Sequence, residues 1–274
     1  MSDVAAALRD AARRLADVSD TPRLDAELLM AHALGIERQA LLLDPARYVV
    51  PAAFAALVER RMAHEPIAYI LGHRDFWTIR LAVGPGALIP RPDSETLIEA
   101  AVQHFGDRGP GHILDLGTGP GTLLLAALAE WPDARGLGID ASDAALDYAR
   151  GNAAALGMTV RAAFRTGDWA AGVTGPFDLI LCNPPYIAET EMLMADVADH
   201  EPTSALFAGA DGLDDYRRIL PDLPRILAPG GAAILEIGHT QRISVSELAR
   251  AAGFAVACKQ DLGGRDRALL LTRA

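Results

Sequence analysis

An open, doubly wound α/β sheet preceded by a small helical region is the fold this sequence predicts, and three observations carry it. After Gly111, short apolar runs alternate with stretches of helical spacing, as strands joined by crossover helices do. Residues 1–73 instead carry Ala, Leu and Arg with apolar positions at helical spacing. Between the two lies a β-rich stretch, Asp75-Phe76-Trp77-Thr78-Ile79-Arg80-Leu81-Ala82-Val83, followed by the turn signal Gly84-Pro85-Gly86. This predicts a helical domain over 1–73, a β-hairpin linker over 74–90 and a sheet domain over 91–274.

In the helical region, Val4–Val18 reads as a first helix. Thr21 before Pro22 is an N-cap followed by proline at the first helical position, and the helix it starts runs to Leu34 and stops at Gly35. A further helix spans about Pro51 to Ala63, with Glu59, Arg60 and Arg61 on its surface. Most of this region reads as packing without chemistry. After the hairpin, Arg91 stands between two prolines and is held extended, and Asp93 or Ser94 can cap a helix through Leu97, Ile98 and Val102. Seven strands are expected at His112–Leu116, Ala134–Ile139, Val160–Thr166, Phe177–Cys182, Ala232–Ile237, Ala255–Lys259 and Ala268–Thr272. Helices fill Thr122–Glu130, Ser142–Leu156, Leu213–Ile226 and Ser244–Ala252.

With 274 residues, 51% of them hydrophobic, the chain can bury a sizeable core. Its formal charge of −11 argues against nonspecific attraction to nucleic acid. The two cysteines, Cys182 and Cys258, read as buried thiols, which predicts no disulfide framework and a reducing cytoplasm. No His and Cys cluster has zinc-ligand spacing, no apolar run reaches spanning length, and the first residues lack a secretory pattern.

Two groups of residues point to chemistry. The first expected strand ends in Asp115-Leu116-Gly117-Thr118-Gly119-Pro120-Gly121, where glycines allow a sharp turn and close approach of a ligand. A glycine-rich turn alone is shared with dinucleotide folds. The acid before it, Asp115, suits a cationic ligand better than a pyrophosphate. A second acid, Asp140, ends the next strand, where a carboxylate can accept two ribose hydroxyls; as a bland alternative it is a helix cap, a role open to Ser142. Asp168-Trp169 follows the third strand and can meet an adenine, though Trp169 alone could equally be a core aromatic. Adenine, ribose and a positive charge describe S-adenosylmethionine.

The second group is Asn183-Pro184-Pro185-Tyr186, at the carboxyl end of the fourth strand, where open α/β sheets bind ligands. The Asn183 carbonyl and the Pro184 carbonyl can accept hydrogen bonds, the prolines hold them in place, and Tyr186 offers a flat face. A planar NH₂, of an amide or of a base, fits such a site; a plain Pro-Pro turn capped by an aromatic is the alternative. His239 reads as a surface residue. Arg91 reads equally as an ion-pair residue, with Glu95 as partner, or as a contact near the ligand.

Together these features resemble class I S-adenosylmethionine-dependent methyltransferases acting on amino groups. Longer segments resemble one family, the release-factor glutamine N5-methyltransferases of the PrmC/HemK type. They are Glu65-Pro66-Ile67-Ala68-Tyr69-Ile70-Leu71-Gly72 with Phe76-Trp77; Leu88-Ile89-Pro90-Arg91-Pro92-Asp93-Ser94-Glu95; Glu201-Pro202, Ala205-Leu206, Gly209, Asp211-Gly212-Leu213 and Tyr216-Arg217; Glu236-Ile237-Gly238 with Gln241; and Asp261-Leu262 with Asp266-Arg267. The resemblance implies a Rossmann-like seven-stranded methyltransferase domain behind a helical substrate-recognition domain. It implies methylation of the glutamine of the Gly-Gly-Gln motif of class I peptide-chain release factors in the cytoplasm, with S-adenosyl-L-homocysteine as product and no direct nucleic-acid partner, membrane or metal. By the same resemblance Gly117, Thr118, Gly119, Pro120, Gly121, Asp140, Trp169 and Asn183 bind the cofactor. Asn183, Pro184, Pro185 and Tyr186 hold the glutamine, with Asn183, Pro184 and Tyr186 catalytic. Pro120 stands where the family usually has Ser or another small residue, Ser94 replaces a usual Thr, and Ala170 stands where an aromatic is common. Two other substrates stay open at this stage. A ribosomal-protein glutamine is not separated by these segments. An adenine-N6 or cytosine-N4 base is disfavoured by the acidic charge and the lack of a basic insert.

Overall fold

The computed structural model describes residues 3–192 and 195–273. The chain forms two compact units, Met1–His73 with Leu193–His200, and Arg74–Met192 with Glu201–Ala274. The first unit contains α1 (Val4–Arg14), α2 (Pro22–Leu34), α3 (Arg38–Leu43), α4 (Ala53–Met62) and α5 (Ile67–Leu71). Asp3 caps α1 by accepting from the Ala5 amide at 3.0 Å. Thr21 stands at the N-cap of α2 but its side chain makes no cap bond; its hydroxyl donates to Asp25 instead. Gly35 ends α2 in the left-handed conformation at φ +66°. Val4, Leu8, Leu15, Leu29, Met30, Phe54 and Val58 form the core of this unit. The α3 and α5 helices are not among the helices the sequence predicts. Both are short, and their stability comes from packing rather than from a long periodic face.

A two-stranded sheet of β1 (His73–Phe76) and β2 (Ile79–Ala82) comes next in the chain. The expected single β-rich run over 75–83 is broken at Trp77, which takes φ +54° and turns the chain, so Gly84-Pro85-Gly86 follows the second strand instead of making the hairpin turn. The remaining elements are α6 (Glu95–Phe105), β3 (His112–Leu116), α7 (Thr122–Glu130), β4 (Arg135–Asp140), α8 (Asp143–Ala155), β5 (Ala162–Thr166), β6 (Phe177–Cys182), α9 (Ala195–Ala198), α10 (Asp214–Ile219), α11 (Leu223–Ile226), β7 (Leu227–Glu236), α12 (Arg242–Ala251), β8 (Phe254–Gln260) and β9 (Asp266–Arg273). The single helix expected over 213–226 is divided into α10 and α11 with a 3₁₀ turn, Leu220–Asp222, between them, where Pro221 and Pro224 remove helical donors. The α9 helix belongs to the first unit: Arg61, buried, pairs with Asp196 at 2.8 Å and with Asp25 at 2.9 Å. No helix of the described residues is long and apolar enough to cross a membrane.

The seven strands β3–β9 form one sheet in the order β5-β4-β3-β6-β7-β9-β8. The β3 strand pairs in parallel with both β4 and β6, so the order reverses beside it and a crevice opens at the strand ends. The β9 strand runs antiparallel to β7 and β8, since no helix separates it from β8. Alternate residues face opposite layers. Ile113, Leu179, Leu181 and Ile234 pack with α6 and α7, while Leu114, Ile180, Cys182 and Leu235 pack with α10–α12. Cys182 is buried, but Cys258 on the outer strand β8 is only half-buried, because a sheet edge has a neighbour on one side only.

Asn152 of α8 ties three segments together from a buried position. Its Oδ1 accepts from the Ala82 amide at 2.7 Å, and its Nδ2 donates to the carbonyls of Ala82 and Pro120 at 3.1 and 2.9 Å. The β2 strand and the glycine loop are thereby held to α8. Asn152→Ala leaves buried backbone groups unpaired and is expected to lower the unfolding free energy by about 2 kcal/mol or more, measured by urea denaturation.

Candidate active site

Parallel register places the site. Leu116 pairs with Ile139 on one side and with Cys182 on the other, and Cys182 pairs with Leu235. The residues that follow these four, Gly117, Asp140, Asn183 and Glu236, therefore emerge side by side at one edge of the sheet. A cavity of about 360 Å³ opens there. It is lined by Gly117, Thr118, Gly119, Pro120, Asp140, Trp169, Asn183 and Pro185 among the residues singled out from sequence. Gly121, Pro184 and Tyr186 do not line it.

The glycine loop turns over the end of β3, where the Gly117 and Thr118 amides both donate to the Ile139 carbonyl, at 2.8 and 2.9 Å. Gly117 has φ +72°, and a Cβ there would stand 3.0 Å from Cζ3 of Trp169, so only glycine lets the indole lie over the loop. Asp140 accepts from the Gly119 amide at 2.8 Å and the Ser142 amide at 2.9 Å, one on each oxygen. Each oxygen keeps a free lone pair for a ligand. Ser142 caps α8 through the Ala145 amide, so Asp140 is not needed for that role. Trp169 is half-buried rather than a core residue. It takes φ +46° and donates its indole N–H to Asp215 at 3.0 Å. Asp168 is exposed and accepts from Arg218 on both carboxylate oxygens, at 2.6 and 2.5 Å.

Asp115 is the exceptional group. It lines the cavity and is buried, and its Oδ2 accepts from the Thr118 hydroxyl at 2.7 Å and the Leu124 amide at 3.2 Å. Its Oδ1 is buried with no hydrogen-bond partner among the described residues. Burial pushes this carboxyl up to about 7, against the hydrogen bonds from Thr118 and Leu124 and helped by the nearby charge of Asp140. An orphaned buried acceptor at the floor of a cavity is suited to a positively charged or N–H-bearing ligand group.

The tetrad is braced from behind. Asn183 Nδ2 donates to the Ser94 hydroxyl at 3.2 Å, and Ser94 in turn donates to Oε2 of Glu236. The Tyr186 hydroxyl donates to Oε1 of the same carboxylate at 3.3 Å. Burial, followed by the charge of Glu236, pushes the Tyr186 phenol well above its ordinary value, so it stays a donor. Gln241 clamps the tetrad backbone, donating to the Tyr186 carbonyl at 2.9 Å and the Gly212 carbonyl at 3.2 Å while accepting from the Gly238 amide at 3.0 Å. Gly212, at φ +71°, lies so close that a Cβ would stand 2.3 Å from the Tyr186 carbonyl oxygen. Arg91 lines the cavity and pairs with buried Glu201 at 2.6 Å, while Glu95 accepts from the Trp77 amide. Of the two readings of Arg91, the ion pair is made with Glu201 rather than Glu95, and its place at the cavity fits the reading as a contact near the ligand. Ser94, expected as a helix cap, makes no cap bond because its hydroxyl serves Glu236 and Asn183. His239 is exposed.

Sequence reasoning offered Ser94 only as one of two candidate helix caps, and Glu236 and Gln241 only as parts of a resembling segment, with no chemical role. The signal available was an acid ending an apolar strand, Ala232–Glu236, at the same edge as Asn183; its complete burial is a property of the folded chain.

Residues 6–72 match the PrmC N-terminal domain family, and residues 93–200 match the methyltransferase small domain family. A release factor glutamine methyltransferase of Rhodospirillum rubrum is 48% identical over 260 residues, covering 93% of this chain and 80% of the relative. One of Caulobacter vibrioides is 43% identical over 265 residues, covering 94% and 92%. A methyltransferase structure from Pyrococcus furiosus, 18% identical, shares the fold with a TM-score of 0.54 over 70% of this chain and 87% of that one.

The raised Asp115 sets a pH dependence. Its folded value lies above the ordinary 3.8, so the stability it contributes is whole below about pH 4 and lost as pH rises through about 7. Over that interval Asp115→Asn is expected to lose less stability than the wild type, read from urea melts at a series of pH values.

Proposed function

The chain belongs to the release factor glutamine methyltransferases, and from that premise we propose that it transfers a methyl group from S-adenosylmethionine to the side-chain N5 of the glutamine in the Gly-Gly-Gln motif of peptide-chain release factors. The observation that carries the reading is the juxtaposition of two acceptor systems in one cavity: the partnerless Asp115 Oδ1 with Asp140 on one side, and Asn183 on the other. The first fits S-adenosylmethionine, whose positive charge calls for a carboxylate and whose ribose calls for acceptors. Asp140 would take the ribose hydroxyls, Trp169 the adenine, and Gly117, Thr118, Gly119 and Pro120 would wall the loop side, with Gly121 turning the chain into α7. Pro120 withholds one amide donor from the loop, but its carbonyl is already committed to Asn152. When bound, the cofactor supplies an electrophilic methyl group on a sulfonium.

The protein's task is then to orient a poor nucleophile. An amide nitrogen shares its lone pair with its carbonyl, and two acceptors on its N–H groups favour positive charge developing there. Asn183 Oδ1 and the Pro184 carbonyl are those acceptors. The proline rings of Pro184 and Pro185 fix φ, so little entropy is lost when the substrate docks. Orientation of this kind is worth about 7 kcal/mol in good intramolecular systems. Tyr186 supports the site through its ring, its hydroxyl being committed to Glu236. No side chain is assigned as general base; the amide proton leaves after transfer. The helical unit is proposed to recognise the release factor, with the boundaries 1–73, 74–90 and 91–274 for helical domain, linker and methyltransferase domain.

Incubation with labelled S-adenosylmethionine and release factor, ribosomes or DNA is expected to label the release factor at the Gly-Gly-Gln glutamine. Label on DNA alone, or on a ribosomal protein alone, overturns the reading. Asn183→Ala is expected to lower kcat by about 100-fold or more while cofactor binding, followed by calorimetry, stays measurable. Asp140→Ala is expected to weaken cofactor binding instead.

A further inference from the structure

The Asn183 side chain has two chemically opposite ends. Oδ1 accepts hydrogen bonds and Nδ2 donates them. Only the oxygen can receive an N–H of a substrate amide, so a half-turn of this side chain converts an acceptor into a competing donor. Glu236 and Ser94 are 1% and 2% exposed, so neither can look to solvent for a partner. An ionised carboxylate only accepts, so the Ser94 hydroxyl gives its single proton to Glu236. The Ser94 oxygen then has lone pairs alone to offer Asn183, and their 3.2 Å contact is filled by a hydrogen on Nδ2.

We propose that Glu236 is a positioning residue which, acting through Ser94, locks the Asn183 amide with Oδ1 free for the substrate. This rests on Asn183 being the acceptor for the substrate amide, as proposed above. The same carboxylate takes the Tyr186 phenol on its other oxygen, so one buried charge holds both ends of the tetrad. Tyr216 adds a bond to the Glu236 main-chain carbonyl at 2.7 Å, which fixes the strand end itself.

The lock depends on Glu236 being ionised. The groups facing it are Ser94 and Asp93 before α6, Tyr186 and Cys182 around the end of β6, Tyr216 of α10 and Arg267 of β9. Arg267 favours the charge, but its guanidinium is shared with Asp93 at 3.1 Å and Asp261 at 3.2 Å. Burial prevails and pushes Glu236 up to about 7. Once protonated, the acid can donate to the Ser94 oxygen. The Ser94 proton is then released toward Asn183 Oδ1, and the amide is no longer held one way round.

The test uses the full-length protein with release factor at saturating S-adenosylmethionine, which removes the influence of Asp115 titration on cofactor binding. Ser94→Ala is expected to lower kcat about 10- to 100-fold with cofactor affinity nearly unchanged, and Ser94→Thr, which keeps the hydroxyl, to restore most of it. Wild-type kcat is expected to rise with pH through about 7; Glu236→Gln, uncharged throughout, is expected to stay at the low-pH value. Full kcat in Ser94→Ala, failure of Thr to rescue, or an undiminished pH rise in Glu236→Gln overturns the proposal. If no release factor is labelled, the proposed function fails, yet the lock is still read directly from ¹⁵N-labelled protein. The Asn183 side-chain amide resonances are expected to titrate near 7 in the wild type and not in Glu236→Gln. Identical behaviour in both overturns the lock.

Discussion

A carboxylate taken out of water must find partners for its oxygens or give up its charge, and the edge of this sheet is organised around two carboxylates that answer that demand differently. Glu236 is satisfied inside the protein, by Ser94, Tyr186 and the nearby Arg267. Asp115 is satisfied on one oxygen by Thr118 and Leu124 and left bare on the other. The first arrangement produces rigidity behind the tetrad. The second leaves an acceptor whose chemistry suits a ligand group of opposite character. The two acids are both raised to about 7 by burial, but the consequence differs because their surroundings differ.

These groups meet only because the strands are in register. The pairings Leu116 with Ile139 and Cys182, and Cys182 with Leu235, align four strand ends, so residues far apart in the chain leave the sheet at one level. A shift of one residue in β6 would carry Asn183 to the opposite face and exchange its neighbours. The alternating layers make such a shift costly, since Leu179 and Leu181 would trade places with Ile180 and Cys182 across two separate cores. Packing on both faces of the sheet thus sets the precision of the chemistry at its edge.

The helical unit follows a different logic. Its core is a cluster of aliphatic residues on short helices; buried Arg61 serves Asp25, Asp196 and the Val18 carbonyl, and buried Glu27 pairs with Arg23 and Arg38. The contribution of Asp196 comes from a segment that follows the tetrad in sequence and belongs to this unit in space.

Much of the molecule was legible in its order of residues. The strand ends carrying Gly117, Asp140 and Asn183 and the helices over Thr122–Glu130 and Pro22–Leu34 follow from periodicity, capping and motif, which are local properties, and the family from the resemblance of longer segments. What the sequence could not disclose is which polar groups lose their water. Ser94 reads as one of two candidate helix caps and becomes the link between Glu236 and Asn183; Arg91 reads equally as an ion-pair residue or as a contact near the ligand, and it both pairs with Glu201 and lines the cavity; Trp77 reads as mid-strand and makes the turn. Each of these outcomes depends on burial and on neighbours distant in the chain. The sequence by itself determined the alternation of elements and the chemical types at the strand ends, because both are written in short-range pattern. Only the tertiary structure decided which carboxylate is bonded, which is bare and which way the tetrad faces, because those are settled by what remains within hydrogen-bond reach once solvent is excluded.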